Sequence, residues 1–226
     1  MNKSATRLIV IIVIVLLVAS GAYAYFTIRG LNVYGTNATP AVSGTVTSVG
    51  ASGDTNAGLK TFTDTNGIFS FSYPGLFMLL GSDAGLTNNW SSGSAQKGLV
   101  LAQLTIPRSF QPNTNFADAR FTVGMSGDPA AVKGCLTQGN GSMTTAPVSV
   151  TLNGVSYARL SFGDAGAGNL YETTSYRTIR NNQCYSVEYT IHSSPIANYP
   201  AGHVTAFDRV QVQSVLDSIA QSVRFL

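Results

Sequence analysis

The stretch VSVTLNGVSYARLSF, residues 148–162, leaves the chain few choices. Apolar and polar residues alternate on both sides of Asn153-Gly154, a dipeptide that accepts the two positive φ values of a two-residue hairpin turn. It predicts two antiparallel strands. The same signature returns in LYETTSYRTIRNNQCYSVEYTIHSS (170–194), with Asn181-Asn182 at the turn. On its second strand, alternation puts Tyr185, Val187, Tyr189 and Ile191 on one face, and Cys184, Ser186, Glu188, Thr190 and His192 on the other.

Other segments fall into line with these hairpins. In TFTDTNGIFSFSYPG (61–75) a tight turn joins two strands, the second alternating Phe69, Phe71 and Tyr73 with serines and ending at Pro74. The stretch GLVLAQLTIP (98–107) sets Val100, Ala102, Leu104 and Ile106 on one face, and ARFTVGMS (119–126) alternates Phe121, Val123 and Met125. In GDPAAVKGCLTQGNG (127–141), Asp128 reads as an N-cap, Pro129 as the first helical position and Gly139 as the stop, so that Val132, Cys135 and Leu136 share a buried face. The last element, TAFDRVQVQSVLDSIAQSV (205–223), places Val212, Val215, Leu216, Ile219 and Val223 at helical spacing, and Arg224-Phe225-Leu226 closes as a short strand. Antiparallel hairpins with one long terminal helix predict an α+β class, an antiparallel β-sheet flanked by helices.

The N-terminus sets the address. Residues 1–7, MNKSATR, are short and basic, and Leu8–Phe26 is a run of 19 residues without a charge. As a helix it would span about 28 Å, close to a bilayer's hydrocarbon core. Positive charge before it and little after it place residues 1–7 in the cytoplasm and the rest outside the membrane. Two readings remain open: a single-pass anchor at 8–26, or a signal peptide cut after Ala24 in Ala22-Tyr23-Ala24. Both export the remainder of the chain. Residues 27–59 include a Ser/Thr/Gly-rich run with no aromatic residue from Gly35 onward; they read as a flexible tether to an extracytoplasmic domain at 60–226.

Lys3 and Arg7 are two of the chain's 13 basic residues, leaving 11 against 10 acidic ones in the exported part. No basic cluster follows, and without one a nucleic-acid partner is not expected. Cys135 and Cys184 are the only cysteines. An even count in an oxidising compartment predicts a disulfide, and no Cys-x-x-Cys or neighbouring histidine pair suggests a metal or a cofactor.

In FTDTNGIFSFSYPGLFML (62–79) the aromatic hairpin and its Tyr-Pro end resemble the opening of PsbP-like domains, and AFDRVQVQSVLDSIAQSVRF (206–225) looks like their terminal helix and final strand. The order of anchor, tether and domain is similar to that of uncharacterised membrane-anchored envelope proteins of small uncultured bacteria. The resemblance implies a PsbP-like sandwich used for binding or assembly, and it carries over no catalytic residues.

Several motifs invite chemistry, and context argues against most of them. Asp64 and Asn66 lack the further alternate ligands of a calcium loop. The run GDAGAG (163–168) joins two strands and so reads as a flexible loop, not a phosphate cradle. Ser94-Ala-Gln-Lys97 matches S-x-x-K without the partner motifs of acyltransferases. Glu188 and His192 are the best acid/base candidates for an alternative reading as an extracytoplasmic hydrolase, but four strand residues separate them by roughly 13 Å. Tyr171, Tyr176, Arg177 and Arg180 are residue types favoured at interfaces and form the candidate contact patch. The expected role is therefore a membrane-tethered binding or scaffold domain of the cell envelope, its partner an envelope protein or polymer.

Overall fold

The computed structural model describes residues 58–81, 90–91, 94, 96–139 and 142–226. The expected membrane segment, the tether up to residue 57, and the expected cytoplasmic start lie outside them. Among the described residues no helix is long and apolar enough to cross a membrane.

Strand β1 (Leu59–Thr63) and strand β2 (Phe69–Pro74) form the first hairpin. Its turn is set by Asp64, whose Oδ2 accepts hydrogen bonds from the N–H groups of Asn66 and Ile68 at 2.9 and 3.4 Å. Strand β3 (Met78–Gly81) leads to β4 (Leu99–Ile106), β5 (Phe116–Ser126) and the short helix α1 (Pro129–Gly134). Next come β6 (Ser142–Met143), β7 (Val148–Leu152), β8 (Val155–Gly166), β9 (Asn169–Arg180) and β10 (Gln183–Ser193). Helix α2 (Arg209–Ser222) and strand β11 (Arg224–Phe225) close the chain.

The strands make two sheets. One has the order β1-β2-β11; the other runs β3-β4-β5-β10-β9-β8-β6, with β7 also paired to β8. Every strand pair is antiparallel. The expected antiparallel α+β domain is thus present, although helices are few and the second layer is largely the small sheet. Between the sheets lies an aromatic core: Phe71 meets Phe62 and Phe121 with ring centroids 5.3 and 5.4 Å apart, and Tyr185 meets Phe225 edge-on at 5.0 Å.

Helix α2 packs on the same core through Val212, Leu216, Ile219 and Ala220. Its Asp208 caps the start by accepting from the Gln211 N–H. Asp217 accepts from the hydroxyls of Tyr176 and Tyr189 at 3.0 and 2.8 Å, which satisfies two buried phenols. Burial, reinforced by Asp217, pushes the Tyr176 phenol up to about 12, and burial holds Tyr189 above its ordinary value as well.

Three details correct the sequence reading. A bulge between Val100 and Ala102 leaves Val100 opposite Gly124, so that Ala102, Leu104 and Ile106 line the core without it. Helix α1 starts as expected, with Asp128 Oδ1 accepting from the Ala130 and Ala131 N–H groups, but it ends at Gly134 and leaves Leu136 40% exposed. Gly139 is not the stop. It lies against the Phe162 ring so closely that a Cβ there would overlap the ring atoms. Finally, GDAGAG is no loop: β8 continues through Gly166, and Ala167-Gly168, both at positive φ, form a two-residue turn like those at Asn153-Gly154 and Asn181-Asn182.

Candidate functional site

Because strand side chains alternate, every residue that does not face the aromatic core faces the opposite side of the large sheet. On that second side β10 presents Cys184, Ser186, Glu188, Thr190 and His192, as the sequence implies. Pairing places Arg177 of β9 opposite Ser186, and Ser175 opposite Glu188.

Arg177 is only 3% exposed. Its Nε donates to Ser175 Oγ at 3.0 Å, its Nη1 donates to the Gln138 carbonyl at 2.7 Å, and its Nη2 meets Glu188 Oε2 at 3.5 Å. The guanidinium lies over the rings of Trp90 and Phe162, 5.0 and 6.0 Å from their centroids. Burial lowers its affinity for the proton, and Glu188 acts against that shift. The cover over this strip comes from Trp90, whose backbone crosses directly above Gly124, and from the segment after α1. The Cys135–Cys184 disulfide, with Cα atoms 5.7 Å apart, ties that segment to β10. Cys135, Cys184, Ala131 and Trp90 form a small second apolar cluster.

At the far end of the same side His192 stacks on Tyr171, ring centroids 4.6 Å apart. Its Nδ1 lies 3.0 Å from Asp118 Oδ2 and its Nε2 2.7 Å from Asn169 Oδ1. The Asn169 amide nitrogen donates to the Gly166 and Ala167 carbonyls, which turns its oxygen toward the ring. Both ring nitrogens are therefore occupied, and the histidine pins the β8–β9 turn to β5. Thr190, bonded to Thr173 at 2.8 Å, stands between Glu188 and His192. The structure does not bring these two residues into one site.

Nor does it bring together the four residues of the candidate patch. Tyr171 stacks on His192, Tyr176 is buried in the core, Arg177 is buried on the opposite side, and Arg180 is exposed over Phe225 at 4.3 Å. Strand alternation separates Tyr176 from Arg177. Ser94 is likewise unsuited as a nucleophile. It is buried, and its Oγ accepts from the Gln96 N–H.

Arg180 does line an open feature. Where β7, β8 and β9 end, a groove of about 580 Å³ opens between Leu136 and Pro147 on its walls and Val148, Val155, Tyr157, Ile179 and Arg180. Leu136, Val148 and Ile179 are 40%, 56% and 43% exposed. Burial holds the Tyr157 phenol up to about 12 in spite of the nearby Arg180 cation. Among the described residues no carboxylate pairs with Arg180. The volume is within the range of small-ligand and peptide sites. Leu136 was legible only as part of a longer helix, so its place on the groove wall was missed. Asp118 and Asn169 were missed because their roles depend on strand register, and Trp90 because its place depends on a long-range crossing over Gly124.

Comparison with known proteins is sparse. No family model and no curated protein matches the chain. Among solved structures it is similar to the solution structure of cyanobacterial PsbP (CyanoP) from Synechocystis sp. PCC 6803, with 13% sequence identity over 79% of this chain and 98% of that chain, and a TM-score of 0.40. A likeness this loose carries no argument about activity.

Proposed function

We propose that the chain is a membrane-tethered, extracytoplasmic binding or scaffold domain of the cell envelope that holds a protein or polymer partner in the groove at the end of β7, β8 and β9. The observation that carries this reading is the groove itself: exposed apolar side chains gathered around the Arg180 cation, with which no carboxylate pairs among the described residues. The charge-free Leu8–Phe26 run supports the tether, with residues 1–7 in the cytoplasm. In the test, a photo-crosslinking amino acid replaces Ile179 or Leu136 in the full chain, in its own cells. Adducts from these positions, and none from exposed Ser218 on α2, are expected. Absence of adducts from both groove positions would reject the groove.

A further inference from the structure

We propose that two copies of the chain associate by pairing their β7 strands edge to edge around a two-fold axis at Val150. The large sheet ends at β7, which pairs with β8 on one side only. Among the described residues no backbone hydrogen bond reaches residues 148–152 from the outer side. Proteins ordinarily blunt such an edge with a lysine, a proline within the strand or a bulge. The outer strand of the small sheet, β1, carries Lys60. Strand β7 has no such guard: it reads VSVTL, pairs with β8 without a register shift, and the whole stretch 141–152 is uncharged.

The occupant is a second copy because the strand is complementary to itself. In an antiparallel pair centred on Val150, Val148 faces Leu152 of the second copy, Ser149 faces Thr151, and Val150 faces Val150. Apolar residues then meet apolar residues on the core side, where Val150 and Leu152 already pack, and hydroxyls meet hydroxyls on the other. Such cross-strand pairs are the stabilising unit of a sheet, and opposed like charges, which would weaken it, are absent. Val148, 56% exposed in one copy, becomes covered. The arrangement is isologous and closes at two copies. It does not depend on the groove reading, with which it shares Val148.

The test uses the full chain in detergent. Its native cysteines are bonded to each other, so the thiol of Val150→Cys is the free one. Facing Cα atoms in an antiparallel pair are about 4.5–5.5 Å apart, within disulfide reach. Mild oxidation is expected to join V150C into a covalent dimer, while S218C on α2 stays monomeric. Thr151→Lys and Ser149→Lys, both at exposed positions, are expected to halve the particle mass measured by light scattering, with unfolding midpoints unchanged. A monomeric wild type would overturn the proposal. So would a V150C adduct formed only with a different protein, or a dimer that survives both lysines and must therefore be held elsewhere.

Discussion

Arg177→Met isolates the energetics of the covered strip. Arg177 and Glu188 side chains are 3% and 2% exposed. Removing the cation leaves the Glu188 carboxylate buried without it, and takes donors from Ser175 Oγ and the Gln138 carbonyl. Breaking a buried pair from one side costs about 3–5 kcal/mol. At about 2–4 °C per kcal/mol for a domain of this size, the melting temperature should fall by about 6–20 °C. Replacing both residues, as in R177M/E188M, removes both charges from the covered strip, and the variant should lie within about 2 kcal/mol of wild type. Urea unfolding followed by Trp90 emission measures both effects. This is the chain's one tryptophan, and its ring stands 5.0 Å from the guanidinium. A single variant that loses less than about 1 kcal/mol, or a double variant less stable than the single one, would refute the idea that the pair is a desolvated charge held in balance.

Replacing both cysteines with alanine opens a 49-residue separation and should cost about 4 kcal/mol in the chain-entropy account; a shift in unfolding midpoint worth less than about 1 kcal/mol would contradict it. Gly124→Ala drives a Cβ into the Trp90 carbonyl; the Trp90 backbone must move away, with a loss of about 1–3 kcal/mol and a red shift in Trp90 emission, and unchanged emission would show that Trp90 does not lie against Gly124. The folded chain holds Tyr157 and Tyr176 neutral up to about 12, whereas unfolded tyrosine ionises near 10. Above pH 10 the unfolded state therefore binds fewer protons, so the stability these tyrosines contribute is full below pH 10 and is lost as pH rises toward 12. Phenolate absorbance measured alongside unfolding checks this, and tyrosines that all titrate near 10 in the folded chain would count against it.

How much of this was legible in the sequence depended on the range of the interaction that decides each feature. The hairpin turns at Asn153-Gly154 and Asn181-Asn182, the Asp128 cap and the terminal helix were all legible, because each is settled by residues within one or two turns of each other. The disulfide was legible from the cysteine count and the inferred compartment. Other errors share one cause. The bulge at Val100, the end of α1 at Gly134 and the role of Gly139 are imposed by packing against distant strands, and no local propensity records them. The loop expected at 163–168 failed for the opposite reason: Ala167-Gly168 satisfies the same two-residue geometry as the Asn turns without their residue signature.

The contact patch shows most clearly how alternation governs what such a chain can present. Tyr171, Tyr176, Arg177 and Arg180 are neighbours in sequence, yet a period of two sends Tyr176 and Arg177 to opposite sides of one sheet. Each side then consumes what it receives: Asp217 takes the Tyr176 hydroxyl, and the disulfide-tied segment covers Arg177 through the Gln138 carbonyl. Beside Leu136, side chains of β7, β8 and β9 line the open groove. The disulfide thus acts on the binding surface at one remove. It holds the segment that buries Arg177, and Leu136 of that segment forms part of the groove wall. A chain without the Cys135–Cys184 bond should therefore lose crosslinking from Leu136 before it loses crosslinking from Ile179, which the sheet itself holds in place. Crosslinking retained in full at both positions would mean that the groove is a property of the sheet alone.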